Sequence, residues 1–452
     1  MKINYKFPQE IKKTIKKIQD AGFEIFVVGG AVRDILAGKE VADWDFATNA
    51  QPSEILKIFP ESFYNNKFGT VGVKTSLGIF EITTYRAEGE YRDFRHPEIV
   101  KWGKTIEEDL ARRDFTINAI ALSPAGDIVD PFSGQEDLKD KTIRAVGDPN
   151  KRFSEDALRL IRAVRFATQL EFIIHDKTFA ALQKNSKLIK NISGERIRDE
   201  LFKIWESQHP ADGFLLLRNA KLLEQILPEL EKCFGVAQAS PKRHHIYDVG
   251  THLLKSLEFC PSKDPLVRFA TLIHDIGKPD VRRVTEEGVV TFYNHEVVGA
   301  GIAKNIANRL HLSKKERDKL VKLVRWHQFT VDEATTAAAA RRFIRRVGVE
   351  NIADMIDLRI GDRLGGGLKE ATSWRLQRFL KLVDQELNPP FSVSDLAASG
   401  HDVMKIIGIK PGPKVGQILN QLFEEVLDNR KKNTRKFLLE RLAEIAKEKK
   451  VE

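Results

Sequence analysis

The stretch from Glu24 to Asp34, EIFVVGGAVRD, decides the fold of the first part of the chain. Its apolar run is short, as in a buried strand, and it ends at Gly29 and Gly30. Two glycines between a strand and a helix let backbone N–H groups approach a phosphate closely. Arg33 follows one helical turn later, where its guanidinium can hold the same anion. Any tight strand–helix turn also favours glycine, so this pair alone is weak support for an anion site.

An acidic pair follows this turn in the segment ADWDFATN, residues 42–49. On a strand, Asp43 and Asp45 point to the same face, where two carboxylates repel unless a cation lies between them. Carboxylate oxygens are ligands that suit Mg²⁺. Glu81, in a hairpin predicted around Gly78, is a candidate third carboxylate and equally an ordinary exposed strand residue. The order of glycine turn, helix and acid pair predicts a site for a triphosphate and its metals.

The chain changes character after Pro149, from a mixed α/β region with about five strands to almost continuous helical periodicity. We predict four domains: a head at residues 1–150, a neck at 151–240, a third domain at 241–370 and a tail at 371–452. In the head we expect a small mixed sheet with helices on one side. Residues 9–21 and the segment after residue 430 each predict one helix.

The composition limits the classes of function. The chain has 452 residues, 42% of them hydrophobic and 31% charged, which excludes disorder and collagen-like structure. A net charge of +10 favours a polyanion such as nucleic acid about as much as a lysine-rich surface. No segment resembles a signal peptide or a membrane-spanning helix, so we expect no membrane partner. The two cysteines, Cys233 and Cys260, form no disulfide framework or zinc site, which suits a cytoplasmic protein.

The segments VVGGAVRD and DWDFAT resemble the head of polymerase-β-type nucleotidyltransferases, and more narrowly the bacterial class II tRNA nucleotidyltransferase/poly(A) polymerase family. Four more segments match this family: TYRAEGEYRDFRHPEIVKWGKTIEEDLARRDFTINAIA, DPFSGQEDL, GDPNKRFSEDALRLIRAVRFA and GIKPGPKVGQIL. The resemblance extends over nearly the whole chain. It implies an α/β polymerase-β-type nucleotidyltransferase head followed by an all-α neck, an HD-type helical domain and a helical tail.

The same resemblance implies a reaction: addition of C, C and A to tRNA 3′ ends from CTP and ATP, without a nucleic-acid template. Asp43 and Asp45 would bind two Mg²⁺ ions. In the segment RRDFT, Arg112 and Arg113 are adjacent cations that would hold phosphate oxygens, with Asp114 orienting them.

Four residues of the segment EDALRLIRAVRF recur at every third position and predict a stripe on one helix face. Asp156 accepts hydrogen bonds and Arg159 donates them, which matches the edges of C and A and leaves buried groups of U and G unpaired. The resemblance implies that this pair is the template for CTP and ATP, and that Arg162 and Arg165 reach the phosphates or the primer. Residues 84–109 are expected to form a mobile loop that helps to switch from C to A.

His-Asp dipeptides occur three times, so the dipeptide alone indicates little. The one at residues 274–275 ends the apolar segment FATLIHDIGKP, and further His and Asp residues lie on successive predicted helices. Such a pattern suits a divalent metal inside a helical bundle. The resemblance to HD phosphohydrolase domains implies one metal, of unspecified identity, and a second beside it. The first would be held by His252, His274, Asp275 and Asp362, with His295 and His327 near the second. Such domains can keep their shape and lose activity, so catalysis stays open.

The segment GIKPGPKVG, residues 408–416, predicts a turn that opens onto a helix. Its backbone N–H groups with Lys410 and Lys414 can hold the phosphate backbone of tRNA, although a plain helix–helix turn also explains it.

Three alternatives to full CCA addition remain open. The first is an A-adding or CC-adding relative or a poly(A) polymerase, although CC-adding relatives are expected to lack the loop before RRDFT, which looks full length here. The second is a metal phosphohydrolase whose main activity is at the HD residues. The third is a tRNA-binding protein with an inactive head, against which the intact acid pair argues. The sequence carries no indication of the oligomeric state.

Overall fold

The computed structural model describes residues 2–64, 69–87, 101–238, 246–329, 336–387 and 392–448. Half of the loop predicted at residues 84–109, residues 88–100, therefore lies outside the described residues, and residues 106–109 belong to a helix. The chain divides into two compact units: the first is Met1–Gly235 with Asn305–Ser313, and the second is Val236–Lys304 with Lys314–Glu452. The four predicted domain boundaries stay predictions. No described helix combines the length and the apolar character needed to cross a membrane.

The first unit begins with a mixed sheet, which has seven strands among the described residues. In chain order they are β1 (Ile25–Val28), β2 (Asp45–Thr48), β3 (Phe63–Tyr64), β4 (Thr70–Thr75), β5 (Gly78–Thr84), β6 (Ala121–Leu122) and β7 (Ile128–Val129). Their order across the sheet is β3-β4-β5-β2-β1-β6-β7. Strands β2 and β5 pair in parallel and every other neighbouring pair is antiparallel. The predicted hairpin around Gly78 is the pair β4–β5.

Five helices accompany the sheet: α1 (Gln9–Asp20), α2 (Gly30–Leu36), α3 (Pro52–Ile58), α4 (Ile106–Ala111) and α5 (Gly134–Lys139). The sheet is covered on both faces, so the expectation of helices on one side is wrong. Val27 and Phe46 belong to one apolar core with residues of α1 and α3, whereas their neighbours Val28 and Ala47 belong to another with Ile106 of α4. Adjacent strand residues point to opposite faces, and the unbroken apolar run of β1 is typical of a strand buried on both.

The rest of the first unit is mainly helical: α6 (Pro149–Glu155), α7 (Leu158–Leu170), α8 (Asp176–Asn185), α9 (Gly194–Trp205), α10 (Pro210–Asn219), α11 (Leu223–Ile226) and α12 (Pro228–Glu231). The predicted all-α neck also contains one short strand, β9 (Ile173–Ile174), which pairs in parallel with β8 (Thr142–Ile143). The helix expected from Glu155 is broken, because Asp156 adopts extended backbone between α6 and α7. Asp156 therefore precedes the arginine stripe instead of belonging to it.

The second unit contains helices α13 (Val249–Glu258), α14 (Pro265–Ile273), α15 (Lys278–Val281), α16 (His295–Arg309, of which the end belongs to the first unit), α17 (Lys314–Trp326), α18 (Ala337–Val347), α19 (Ile352–Gly365) and α20 (Trp374–Leu387). A short antiparallel pair, β10 (Arg283–Val284) with β11 (Val290–Thr291), interrupts them. Helix α14 begins where the side chain of Asp264 accepts a hydrogen bond from the Leu266 N–H, with Pro265 in the first helical position. Its apolar side chains are buried.

The chain closes with α21 (Gly400–Ile407), α22 (Pro413–Asp428) and α23 (Arg435–Glu448), whose apolar side chains share one core. Helix α21 ends at Gly408, whose φ of +76° lies in the left-handed region that glycine adopts without strain. Helix α22 begins at Pro413, as the glycine and proline residues of this turn predict.

Candidate functional sites

A cleft of about 510 Å³ in the first unit is lined by the end of β1, the beginning of β2 and the first part of α7. It brings together twelve of the thirteen residues predicted for the head and the selecting helix. They are Gly29, Gly30, Arg33, Asp43, Asp45, Glu81, Arg112, Arg113, Asp114, Asp156, Arg159 and Arg162. Arg165 does not line the cleft.

Three carboxylates form the acidic side of the cleft. Asp45 is the first residue of β2 and lies in register with Glu81 on β5, so the sheet itself places these two side by side. Asp43 precedes the strand and is exposed, so the expected strand geometry does not apply to it, although it lines the same cleft. Burial raises the pKa of Asp45 to about 6, with Arg113 opposing the shift and Glu81 and Asp43 adding to it.

This acidic group suits a hard divalent cation. Burial, with smaller contributions from the charges of Glu81 and Asp43, makes ionisation of Asp45 less favourable than usual and so raises its pKa. A cation between these carboxylates would offset that cost, and oxygen donors are the ligands that Mg²⁺ prefers. The residues present therefore fit the predicted metal site.

The glycine turn brings the backbone close to both sides of the cleft. Gly29 has a φ of +69°, and a Cβ atom there would lie 3.0 Å from a guanidinium nitrogen of Arg113 and 3.7 Å from a carboxylate oxygen of Asp45. A side chain at this position would be strained and would intrude between the cation and the acid. The glycine is therefore required by the site as well as by the turn.

The arginine pair is held by an acid that the sequence reasoning missed. Asp109, whose side chain is fully buried, accepts hydrogen bonds from Arg112 Nε at 2.9 Å and Arg113 Nη2 at 3.1 Å. Burial alone would raise the pKa of Asp109, but Arg112 and Arg113 hold it at about 2. These contacts assign to Asp109 the orienting role that was expected of Asp114.

Asp114 instead links helix α7 to helix α2 through Asn118. It accepts a hydrogen bond from Arg162 Nε at 2.9 Å and one from Asn118 Nδ2 at 3.2 Å. Asn118 in turn accepts one from Arg33 Nη1 at 3.1 Å. Burial alone would raise the pKa of Asp114, but Arg162 and Asn118 hold it at about 2. Two of the predicted phosphate-binding arginines, Arg33 and Arg162, are thus linked through Asn118 and Asp114.

The predicted selecting pair lies at the break between α6 and α7. Arg159 donates to Glu155 Oε2 at 2.8 Å and to the backbone carbonyl of Arg112 at 2.8 Å, so its guanidinium is fixed in place. Asp156 accepts a hydrogen bond from the Leu158 N–H at 3.1 Å. Both side chains still line the cleft, where a base edge would be read.

Arg165 occupies a different environment from the other arginines of the stripe. Its Nε lies 3.0 Å from Glu200 Oε2 and its guanidinium lies 4.0 Å from the ring centroid of Phe166. Its side chain is 8% exposed. The expectation that Arg165 itself reaches the phosphates or the primer receives no support from this position.

The six predicted HD residues come together in the second unit. We call this cluster the HD centre; it consists of His252 on α13, His274 and Asp275 after α14, His295 at the start of α16, His327 after α17 and Asp362 on α19. Ligand atoms of His252, His274 and Asp362 lie within 4.8 Å of one another, as do those of His274, Asp275 and His327. His295 Nε2 lies 3.0 Å from Asp275 Oδ1.

Three of the four histidines of the HD centre are oriented as metal ligands are. The Nδ1 atoms of His274, His295 and His327 each lie 2.7–2.8 Å from the backbone carbonyl three residues earlier in the chain. A carbonyl only accepts hydrogen bonds, so Nδ1 carries the proton and Nε2 is left to face the carboxylates. Burial alone would lower the pKa of His274, but Asp275 and Asp362 raise it to about 10. The centre thus attracts positive charge, and its nitrogen and oxygen donors fit a divalent transition metal.

Lys278 is a charged neighbour of the HD centre that the sequence reasoning missed. Its Nζ lies 2.5 Å from Asp275 Oδ2 and donates to Gln238 at 2.7 Å. Gly277 precedes it, and a Cβ atom there would lie 2.2 Å from the backbone carbonyl oxygen of His295. The segment GKP thus lets the chain after Asp275 pass directly against the start of α16.

The predicted tRNA-binding lysines lie at the turn between α21 and α22. Lys410 lies in the turn, Lys414 lies in the first turn of α22, and both are exposed. Two exposed cations beside the beginning of a 16-residue helix are consistent with the predicted phosphate contact.

Curated relatives match the chain over almost its full length. The CCA-adding enzyme of Lactobacillus helveticus (strain DPC 4571) is 33% identical over 421 residues, 93% of each chain. The CCA-adding enzyme of Ligilactobacillus salivarius (strain UCC118) is 33% identical over 447 residues, 98% of each chain. The chain belongs to the CCA-adding enzyme family. The predicted resemblance and the prediction of a nucleotidyltransferase with an HD domain are confirmed.

Three families match parts of the chain, two of them overlapping. The poly A polymerase head domain matches residues 25–144, the "Probable RNA and SrmB- binding site of polymerase A" matches residues 171–234, and the HD domain matches residues 217–388. The CCA-adding enzyme of Bacillus stearothermophilus in complex with CTP is 26% identical and matches 98% of each chain with a TM-score of 0.68. A structure of a CCA-adding enzyme with ATP is 20% identical, with a TM-score of 0.59, and supports the fold alone. The predicted fold class is confirmed.

Local spacing contained a signal for two of the missed residues. Asp109 lies three and four residues before the arginine pair, and Lys278 lies three residues after Asp275; in a helix or a turn these spacings bring side chains together. Asn118 contacts Arg33, and Glu200 contacts Arg165, across the fold, and no spacing in the sequence indicates those two contacts.

Proposed function

We propose that the protein adds C, C and A to the 3′ ends of tRNA, using CTP and ATP and no nucleic-acid template. The observation that carries this proposal is the cleft in the first unit, where an acidic group, a glycine turn and five predicted arginines line one cavity. Membership of the CCA-adding enzyme family supports the same reaction.

The triphosphate would be held opposite the acidic group. Gly29 and Gly30 offer backbone N–H groups at the start of α2, and Arg33 lies one turn further along that helix. Arg112 and Arg113 are held in place by Asp109, so their guanidinium groups need little reorganisation to bind phosphate oxygens. Because the arginines are pre-oriented, the entropic cost of ordering them is met on folding instead of on substrate binding.

The carboxylates of Asp43 and Asp45, with Glu81 beside them, would hold Mg²⁺. Two such ions would activate the primer 3′-hydroxyl and neutralise charge on the leaving pyrophosphate. Glu81 lies directly across from Asp45 in the sheet, and its negative charge strengthens the affinity of Asp45 for a cation. Whether Glu81 binds the ion itself or acts through Asp45 is tested by Glu81→Gln, which keeps the oxygen atom and removes the charge.

Selection of C and A would be the task of Asp156 and Arg159. Arg159 is held in place by Glu155 and by the backbone carbonyl of Arg112. Its guanidinium would have to break these hydrogen bonds to move away from a base that does not match its donors. Arg162 would neutralise phosphate charge from its place beside Asp114. We propose that Arg165, held by Glu200, positions Phe166 in the lining of the cleft and does not itself touch the nucleotide.

The polyanionic partner in this proposal is tRNA. The net charge of +10 supports a partner of this kind. Lys410 and Lys414, exposed at the turn between α21 and α22, would contact its backbone without reading its sequence.

One incorporation assay separates full CCA addition from its close alternatives. A tRNA that ends at the discriminator base is incubated with each labelled NTP singly and with CTP and ATP together. We expect two C residues from CTP alone and a single terminal A once both are present. Addition of A alone, of C alone, or of a long A tract would instead identify the A-adding, CC-adding or poly(A) alternative.

A second activity, metal-dependent phosphohydrolysis, is favoured by the HD centre. Its six residues converge from five helices or their ends, and three of its histidines are oriented by backbone carbonyls. Phosphate release from model phosphate esters should survive Asp43→Ala and disappear in His274→Ala with Asp275→Ala. Absence of release from the parent protein with Mg²⁺, Mn²⁺, Ni²⁺ and Zn²⁺ would refute this activity and leave CCA addition untouched.

A further inference from the structure

The sheet face that carries the acidic group continues past the cleft toward the edge strand β3. The register of the strands places one row of residues across it: Asp45 of β2, Glu81 of β5, Gly72 of β4 and Phe63 of β3. Side chains paired directly across neighbouring strands point to the same face of a sheet. Phe63 is therefore aligned with the proposed metal ligands, although neither it nor Gly72 lines the cleft.

Gly72 leaves free the space that the ring of Phe63 occupies. A Cβ atom at Gly72 would lie 2.5 Å from the Cζ atom of the ring and 2.8 Å and 3.0 Å from its two Cε atoms. The far end of the ring therefore lies over β4, where a side chain of residue 72 would otherwise stand. Phe63 is 36% exposed, so the sheet supports the ring and solvent still reaches it.

This row lies on the side of Asp45 from which the attacking hydroxyl would come. The glycine turn and Arg113, which would hold the triphosphate, adjoin Asp45 on the side of β1. In phosphoryl transfer the attacking and leaving oxygens lie roughly in line, on opposite sides of the phosphorus. With the pyrophosphate toward β1, the primer 3′-hydroxyl approaches from the other side, where β5, β4 and β3 follow in order.

The length of the row fits the end of a single RNA strand. Neighbouring strands of a sheet lie about 4.8 Å apart, so the part of the Phe63 ring over Gly72 is about 10 Å from the backbone of Asp45. Stacked nucleotides rise by about 3.4 Å each, so about three of them span this distance. The ring is therefore placed for a base just behind the reacting end, and every base has a flat face that stacks on an aromatic side chain.

A cation follows the ring on the same face. Lys74 lies two residues after Gly72 on β4, so its side chain points to the same side of the sheet, and it is exposed. Ile79, its partner on β5, is 57% exposed. An accessible aromatic ring with a cation beside it is typical of surfaces that hold single-stranded RNA by stacking and by phosphate contact.

We propose that Phe63, supported by Gly72, is the stacking platform for a base near the 3′ end of the tRNA primer, and that Lys74 contacts a phosphate of the same strand. This assignment rests on the CCA addition proposed above and adds the side from which the primer enters. Phe63 contacts the primer, whereas the glycine turn, the arginines and the selecting pair contact the nucleotide. Loss of the ring therefore weakens the use of tRNA and leaves the use of CTP and ATP unchanged.

Steady-state addition of C to a tRNA that ends at the discriminator base tests the platform in the full-length protein. Phe63→Leu keeps an apolar side chain and removes the ring, so the KM for tRNA should rise at least about fivefold, because one base–aromatic stack is lost. The KM for CTP should stay that of the parent. Phe63→Tyr keeps a ring and should restore the parent's KM for tRNA. Leu77→Ala is the matched control, since it removes an exposed apolar side chain from the turn of the hairpin β4–β5.

Two further variants examine the platform without replacing Phe63. In Gly72→Ala the added Cβ atom would displace the ring, so the KM for tRNA should rise as in Phe63→Leu, and the two changes together should add little to either alone. Lys74→Gln, at an exposed position, should reduce the slope of log KM for tRNA against log salt concentration by about 0.7, the value for one phosphate of a single strand.

The platform is overturned if Phe63→Leu keeps the parent's KM for tRNA, if it raises the KM for CTP as much as that for tRNA, or if Phe63→Tyr is impaired equally. Should Phe63→Leu melt early, Lys74→Gln decides, and an unchanged salt slope overturns the proposed path of the primer. A parent protein that adds no nucleotide would refute the function proposed above, and the platform with it.

Discussion

Asp109→Asn should weaken the fold and the triphosphate site together. The carboxylate is fully buried and accepts hydrogen bonds from Arg112, from Arg113 and from the backbone N–H of Arg86 at 3.2 Å. Its pKa of about 2 lies well below its usual value of 3.8. At 1.36 kcal/mol for each pKa unit, the ionised form gains about 2 kcal/mol of stability from the fold. Asparagine keeps the shape and loses that gain.

The same shift determines how stability depends on pH. A carboxyl group whose folded pKa is depressed contributes its stability above its unfolded pKa and loses it as the pH falls toward the folded pKa. The stabilisation by Asp109 is therefore complete above about pH 4 to 5 and is lost toward pH 2. The difference between parent and Asp109→Asn should be about 2 kcal/mol at pH 7 and should shrink as the pH falls through this window.

Urea unfolding between pH 7 and pH 2.5 measures the loss of stability. The KM for CTP and for ATP at pH 7 measures the effect on the triphosphate site. Glu107→Gln is the matched control, because it removes the same charge from an exposed position of the same helix. We expect Asp109→Asn to raise both KM values, since Arg112 and Arg113 lose the group that orients them. Equal stability of the two variants at pH 7, or a difference that does not change with pH, would refute the role assigned to Asp109.

Asp45→Ala should abolish nucleotide addition with the melting temperature nearly unchanged, because loss of a metal ligand costs several kcal/mol in the transition state; near-normal incorporation would contradict the metal assignment. Asp275→Ala should leave CCA addition intact in the same assay, since the HD centre and the cleft lie in different compact units. Asp156→Ala should lower discrimination against UTP and GTP by roughly ten- to a hundredfold, because one hydrogen bond to a charged group is worth about 1.5–3 kcal/mol; an unchanged preference for C and A would place selection elsewhere. Replacing Lys410 and Lys414 by alanine should weaken the binding of all tRNAs about equally. It should also reduce the slope of log affinity against log salt concentration by about one unit for each lost contact, which binding measurements over a range of salt concentrations test.

Most of the fold could be predicted because its signals are local. The apolar run of β1, the glycine pair and the alternation of β4 and β5 around Gly78 each indicate an element from a few adjacent residues. The two-sided covering of the sheet could not be predicted in this way. It depends on α4, which packs against Val28 and Ala47 although more than fifty residues separate it from them.

The break before α7 shows a limit of periodicity. Asp156, Arg159 and Arg162 recur at a helical spacing, yet the backbone at Asp156 is extended and its side chain accepts a hydrogen bond from the N–H of Leu158. An aspartate can satisfy backbone N–H groups near a helix start, and this competes with continuing the helix. The three arginines of the stripe therefore lie on α7 as the spacing predicts, whereas Asp156 lies before that helix.

By itself the sequence determined which chemical groups the protein has and where its main helices and strands begin, since both depend on residues close together in the chain. Tertiary structure alone decided which charges pair across the fold. Asp114 contacts Arg162, forty-eight residues away, instead of the neighbouring arginines, and the HD residues between 252 and 362 meet in one centre. The physical reason is that electrostatic and metal-binding interactions depend on distance in space, and packing of the apolar core sets that distance.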